Sequence, residues 1–166
     1  VDWDTSPYRS FRLTGGANPN YNTTFRLLWP KNYDSTMVSN VNYPLVIMLH
    51  GGGESALGNA RFGIYPNGDP RRYNNDHQLL FHGHEYLKAV NEGVWPGFVL
   101  FPQNIYGSWV SADWMLGDVV EIVETLSKTL KIDPNRIFVT GLSAGGQGVW
   151  TSLAKYPYLF AAGLSY

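Results

Sequence analysis

The sequence predicts an α/β domain: a mostly parallel sheet with helices on both faces. Three observations carry this expectation. The runs at 45–49 and 98–101, and the segment Arg136–Thr140, are apolar without strict alternation, as strands covered on both faces are. The connections between them are long enough for helices, and one shows clear helical spacing. Strand, helix and strand then repeat, which closes as right-handed crossovers in a parallel sheet.

The elements follow in order. Phe25–Trp29 reads as a strand closed by Pro30, and a polar turn follows with Asn32, Asp34, Ser35, Ser39 and Asn40. Leu45–Leu49 is the first buried strand and runs into His50-Gly51-Gly52-Gly53. From there to about Tyr86 the chain is rich in Gly, Pro, Asn and His with little periodicity, so a long irregular excursion is expected before a short helix at Glu85–Asn91. Phe98–Phe101 is a second buried strand, stopped by Pro102. Its exit loop carries Tyr106 and Trp109 and a helix cap at Ser111 or Asp113. Leu116, Val119, Val120, Val123, Leu126 and Leu130 then mark the inner face of a helix, with Asp118, Glu121, Glu124 and Lys128 on its outer face. Ile132–Asn135 turns the chain into the strand Arg136–Thr140. After Gly141–Gly146 comes a helix with Val149, Trp150 and Leu153 on one side, and Leu159–Leu164 begins a further strand.

Composition narrows the function. The 166 residues form a single domain, 1–166, and 44% hydrophobic content supplies its core. Only 15% of residues are charged and the net charge is −1, which leaves no electrostatic footprint for nucleic acid or an anionic membrane. With 0 Cys, a disulfide framework, a thiolate metal site and a cysteine nucleophile are all excluded. The apolar runs are far shorter than the roughly 20 residues of a membrane helix. The chain begins at Val1 with neither a basic start nor an apolar leader, so any signal peptide is expected to have been removed or to lie outside the sequence. Aromatics at 15%, with 18 Gly, suggest a loop-rich surface bearing flat side chains; the expected location is secreted or periplasmic.

Two motifs carry chemistry. Gly141-Leu142-Ser143-Ala144-Gly145 matches G-x-S-x-G between a buried strand and a helix, the setting in which a serine is presented at a strained turn. Residues two before and two after the serine must lack side chains to fit that turn, and Gly141 and Gly145 do. The helix beginning there aims its free amides at a developing oxyanion. The competing interpretation is a Gly-Ser turn of no chemical meaning, and the flanking strand and helix argue against it. His50-Gly51-Gly52-Gly53 follows another parallel-type strand, so its amides can face the same oxyanion as the N–H of Ala144. Both motifs then fall on the carboxyl edge of one sheet, where open α/β sheets place their sites. Ser143 is the candidate nucleophile, and Gly52, Gly53 and Ala144 are the candidate oxyanion residues.

Other residues have plainer roles open to them. His77, His82 and His84 with Asp76 and Glu85 have metal-binding types, but a polar loop packed on Tyr73, Phe81 and Tyr86 explains them better, and no metal is expected. Trp109 is expected to line the substrate pocket, with Trp114 in the core. Gln147 either hydrogen-bonds substrate or caps the packing of its helix. Asn22-Thr23-Thr24 has the form of a glycosylation sequon, read as a chance match.

Leu49-His50-Gly51-Gly52-Gly53 and Gly141–Gly146 resemble the α/β-hydrolase superfamily. The similarity is to the secreted esterase branch containing feruloyl and acetylxylan esterases of carbohydrate esterase family one and the related polyhydroxyalkanoate depolymerases. Phe25–Asp34, Tyr43–Val46 and Asp133–Ile137 resemble that branch as well, so the likeness extends from about Tyr21 onward. It implies an α/β-hydrolase fold and acyl transfer to water through a serine ester, without metal or organic cofactor. The substrate implied is a small-molecule or polysaccharide-linked ester, or a polyester. The family places an acid and then a histidine after the nucleophile, whereas no Asp, Glu or His follows Ser143 here. The expectation is an N-terminal part of a longer hydrolase, cut after the nucleophile helix and the start of the next strand, with base and acid beyond Tyr166 and little activity alone. His50 is expected to brace its loop rather than move protons. Two alternatives stand beside the esterase: a serine peptidase of prolyl-oligopeptidase type, and a non-catalytic carbohydrate-binding protein derived from a hydrolase.

Overall fold

The computed structural model describes residues 4–17, 21–36, 40–111 and 114–166. Six strands form one sheet: β1 (Tyr8–Arg12), β2 (Thr24–Leu28), β3 (Tyr43–Leu49), β4 (Phe98–Pro102), β5 (Ile132–Gly141) and β6 (Ala162–Ser165). Their order is β1-β2-β4-β3-β5-β6. β4, β3, β5 and β6 are parallel, while β1 and β2 add an antiparallel edge.

The uninterrupted apolar runs are explained by burial from both sides. Leu45, Ile47 and Leu49 of β3 join one core with Leu100, Val139 and the helices α4 (Trp114–Thr129) and α5 (Ala144–Lys155). Met48 joins a second core on the opposite face with Val99, Phe101, Leu79 and Val90, against which Val46 packs. Leu45, Ile47, Met48 and Leu49 are all 0% exposed, and burying such a side chain is worth about 1.5–3 kcal/mol.

The excursion after β3 is more regular than its sequence suggests. It contains a 3-10 turn at Gly52–Glu54, α1 (Ala56–Arg61), a second 3-10 turn at Pro70–Tyr73, α2 (Asp76–Gln78), a π-helical turn at Leu79–Gly83 and α3 (His84–Asn91). β1 is an additional strand that the sequence reading missed. It is anchored by Tyr8, whose hydroxyl donates to the Gly83 carbonyl at 2.6 Å. The expected turn at 132–135 is absorbed into β5 as an irregularity: Tyr43 pairs with Ile132, but Leu45 pairs with Ile137. The proposed helix cap at Asp113, and Ser39 in the polar turn, lie outside the described residues. Ser111 sits in a turn, where its N–H bonds the Ser108 hydroxyl.

Two helix-face assignments need correction. Asp118 is 0% exposed, not on the outer face of α4. Its carboxylate receives the Ala17 N–H at 2.8 Å and the Thr23 hydroxyl, pinning the segment before β2. Trp150 is 68% exposed, because α5 packs on the sheet through Gly145, Gly148, Val149 and Ser152 instead. Among the described residues no helix is long and apolar enough to cross a membrane.

The topology creates the site. From β3 the chain crosses to β4 on one side, and from β5 it crosses to β6 on the other. The carboxyl ends of these neighbouring strands therefore flank a crevice left open by their diverging connections.

Candidate active site

Ser143 stands where β5 meets α5, with φ 54° and ψ −114°. A side chain in this left-handed region is strained and held there by its surroundings. The flanking glycines show how tight the bend is. A Cβ on Gly141 would lie 2.4 Å from the carbonyl carbon and oxygen of Gly145, and a Cβ on Gly145 only 1.9 Å from the Leu49 carbonyl oxygen. No residue but glycine fits either place, and the crowding presses the start of α5 against the exit of β3. Ser143 itself is exposed.

The triple-glycine segment lies directly across from it. A Cβ on Gly51 would be 3.8 Å from Ser143 Cβ, and one on Gly52 would be 4.0 Å from Ala144 Cβ. The Ser143 amide donates to the Tyr166 carbonyl and the Gly145 amide to the Leu142 carbonyl, each at 2.8 Å. Between them, the Ala144 amide opens α5 and has no acceptor within its own helix. The structure thus brings Ser143, Gly52, Gly53 and Ala144 together.

The loop holding Gly52 is braced from beneath. Glu54 is buried, and its Oε2 accepts the Gly51 N–H at 2.8 Å while the Glu54 N–H returns to the Gly51 carbonyl, closing a capping box. Glu54 Oε1 lies 2.9 Å from His82 Nε2, on the π-helical turn. Burial acts to raise the Glu54 carboxyl, but the His82 contact, the nearby imidazoles and the Gly51 N–H outweigh it and hold it below the ordinary glutamate range.

His50 is 0% exposed. Its Nδ1–H donates to the Gly51 carbonyl at 2.7 Å, and its Nε2 accepts the Asn104 N–H at 2.9 Å. Burial lowers its pKa, the Glu54 charge and the Gly51 carbonyl pulling only partly the other way, so it stays neutral. Gln103 completes the scaffold by accepting the Asn75 N–H and donating to the carbonyls of Asn104 and Glu54.

Two clefts meet at Ser143. One, of about 370 Å³, is walled by Phe62, Ile64, Phe81 and Leu142, with Glu54, His77 and His82 also lining it. The other, of about 540 Å³, runs past Ser55, Arg61, Tyr106 and Ala144. Gly52, Gly53 and Phe62 border both.

Trp109 is not a wall of either cleft. It is 1% exposed, donates its indole N–H to the His50 carbonyl at 2.9 Å and packs its ring on His50. The loop after β4 folds beneath the exit of β3 and takes Trp109 with it, leaving Tyr106, 51% exposed, at the cleft. Gln147 is exposed on α5 and lines neither cleft. His77 contacts Asn59 Oδ1 and packs on Phe81, with its pKa lowered chiefly by burial, and Asp76 pairs with Arg26 at 2.8 Å. Among the described residues no group of three or more metal-ligating side chains converges.

Sequence reasoning placed the Tyr106 loop on the Ser143 edge but preferred Trp109 as the pocket wall, and it missed Glu54, Gln103, Asn104 and the Phe62–Phe81 wall. Glu54 alone left a signal, since Gly51-x-x-Glu54 has the spacing of a capping box.

Comparison with known proteins fits this geometry. Residues 101–166 match the model of the prolyl oligopeptidase family. A comparison with curated protein sequences finds no match. Among solved structures, a thermostable esterase superimposes with TM-score 0.65 at 27% identity, covering 95% of this chain and 40% of its own. A ferulic acid esterase gives TM-score 0.64 at 16% identity, covering 94% of this chain and 58% of its own. An acylaminoacyl peptidase from Pyrococcus horikoshii gives 0.54 at 18% identity, covering 95% and 22%. The chain has the α/β-hydrolase fold and resembles the esterases that carry it; it spans less than two thirds of the length of each of these structures.

Proposed function

We propose that the protein is a serine hydrolase that cleaves carboxylic esters. The observation that carries this reading is Ser143 held at positive φ at a strand-to-helix bend, where Gly51 and Gly52 face Ser143 and Ala144. Ser143 Oγ attacks the ester carbonyl carbon, and the carbonyl π electrons move onto oxygen. The Gly52 and Ala144 amides hold that oxyanion, with Gly53 in support. Collapse breaks the bond to the alcohol oxygen, which leaves with the proton taken from Ser143. Water then attacks the acyl-serine by the same route, releasing the acid and restoring the hydroxyl.

The proton needs a base. His50 is sealed with both ring nitrogens bonded, His77 and His82 are engaged with Asn59 and Glu54, and His84 is exposed and lines neither cleft. The reading therefore assigns the base and its orienting acid to residues of the whole protein outside these 166. Substrate shape follows from the two clefts: an apolar group beside Phe62 and Phe81, and a polar one toward Arg61 and Tyr106. That pairing suits an apolar or aromatic acyl group on a hydroxylated alcohol such as a plant polysaccharide, or a hydroxy-acid polyester, and suits a protein acting outside the cytoplasm.

A second reading is a serine peptidase, favoured by the family match over 101–166. The test uses the full-length protein with a fluorophosphonate probe and matched aryl esters and aryl amides. Labelling of Ser143, lost in Ser143→Ala, with esters cleaved far faster than amides, supports the esterase. Amide preference selects the peptidase. Saccharide binding without labelling would overturn both in favour of a non-catalytic binding protein.

A further inference from the structure

Away from Ser143 lies a cavity of about 580 Å³, larger than either cleft described above, and none of the chemistry so far uses it. Its walls come from β1, the entry to β2 and the turn at Pro70–Tyr73. Phe11, Tyr21 and Tyr73 line it together with Arg12, Asn22 and Asn74, the last holding the Asp76 N–H on its side-chain oxygen. Phe11 stacks one face on Phe25 at 5.4 Å and 20°, yet remains 38% exposed; Tyr73 is 37% exposed. No carboxylate lines the cavity among the described residues.

We propose that this cavity is a saccharide-binding subsite. Sugars offer apolar ring faces edged by hydroxyls, and open aromatic rings interleaved with amides and one guanidinium match both features. A purely apolar ligand would set the Arg12 and Asn22 groups against apolar surface, at a cost. A polyphosphate ligand would find a single cation.

The site is built rather than incidental. The Thr24 hydroxyl donates to the Tyr73 carbonyl, and Arg26 donates to the Asn74 carbonyl at 2.9 Å while pairing with Asp76, so the turn is tied to β2 and the cavity is held open. Its position also connects it to Ser143. Phe25 pairs with Pro102, which puts the entry to β2 at the carboxyl end of β4, on the sheet edge that carries the nucleophile. The segment 70–82 supplies Tyr73 and Asn74 to this cavity, and His77, Phe81 and His82 to the apolar cleft. A polymer could contact both along one path.

Saccharide binding involves no bond making, so the test is independent of the hydrolase reading. Full-length protein is titrated calorimetrically with linear xylohexaose and cellohexaose, alongside an unstructured polar peptide of similar length. At least one hexasaccharide is expected to bind, with affinity unchanged in Ser143→Ala and weakened about tenfold or more in Tyr73→Ala, the loss of one stacking ring. Arg12→Ala, an exposed position that need not disturb folding, gives the second variant and should weaken binding as well; thermal melts verify that each variant is folded. No binding of either saccharide at millimolar concentration, binding of the peptide alone, or full affinity in both cavity variants overturns the proposal. Loss of binding in Ser143→Ala would place the sugar in the Ser143 clefts and overturn it too.

Discussion

Acidification should destabilise this protein through His50, and the structure fixes the sign. The imidazole is fully buried and its pKa lies below its ordinary value of 6.5, chiefly because burial disfavours the charged ring. In the unfolded chain the same ring titrates normally. Above about pH 6.5 neither state binds the proton and the stability is fully present. Below it the unfolded state takes up a proton that the folded state refuses, so stability falls with pH. One such group contributes at most about 1.4 kcal/mol per pH unit. His77, lowered in the same direction, can bring the slope to about 2.7 kcal/mol per unit. By about pH 5.5 the loss is bounded at roughly 3 kcal/mol, against a typical 5–15 kcal/mol. Glu54 acts lower down. Its depressed carboxyl stabilises the fold above the ordinary 4.5 and loses that contribution as pH falls through its folded value. The assay is urea unfolding at about pH 7.5, 6.5 and 5.5, followed by tryptophan fluorescence, since the Trp109 ring lies 5.3 Å from that of His50. His50→Gln should lower stability at the highest pH and remove about half the slope. A stability that stays level across this range, or an unchanged slope in His50→Gln, would refute the reasoning.

Three further outcomes are expected. Gly145→Ala places a methyl 1.9 Å from the Leu49 carbonyl oxygen and should destabilise by about 3 kcal/mol or more; an unshifted urea midpoint would contradict the packing described. Ser143→Gly should be about 0.5–1 kcal/mol more stable than Ser143→Ala, because only glycine relieves the positive φ, and thermal melts of the two variants decide it. Glu54→Ala removes the acceptor of the Gly51 N–H and should cost about 1.5–3 kcal/mol along with a fall in kcat for aryl esters in the full-length protein. Glu54→Gln, which keeps an acceptor oxygen, should recover most of that rate, and equal rates for the two variants would argue against the bracing role.

What could be read from the sequence was local. β3, β4, α4 and the bend at Ser143 each declare themselves within a window of ten or so residues, through apolar runs, helical spacing or a glycine pair. What escaped depends on distant partners. Asp118 looked like an outer-face residue because its ligands, Ala17 and Thr23, lie about a hundred residues earlier. Trp109 looked like a pocket wall because nothing near it reveals that its indole will reach back to the His50 carbonyl. The excursion looked irregular because its helical pieces are short and are held by side-chain bonds, such as Gln78 to the Met48 carbonyl, more than by a periodic apolar face.

Trp150 was misplaced for a different reason, and that reason bears on the chemistry. Hydrophobic spacing assigns a helix to the sheet by its large residues, whereas α5 docks by its smallest. A Cβ on Gly148 would come within 2.8 Å of Trp109 Cβ and 2.9 Å of a Leu49 methyl, and one on Gly145 would meet the Leu49 carbonyl. Gly141, Gly145 and Gly148 therefore set how closely the bend at Ser143 approaches β3, and β3 leads straight into Gly51–Gly53. Larger residues on that face would bury more apolar surface, yet they would lift Ser143 away from the amides opposite. The inward turn of Trp109 serves the same end, filling the space beneath the glycine face while fixing the His50 carbonyl. In this fold the close approach of α5 to β3 is what sets the exposed Ser143 hydroxyl against the glycine segment 51–53 at the mouth of one cleft.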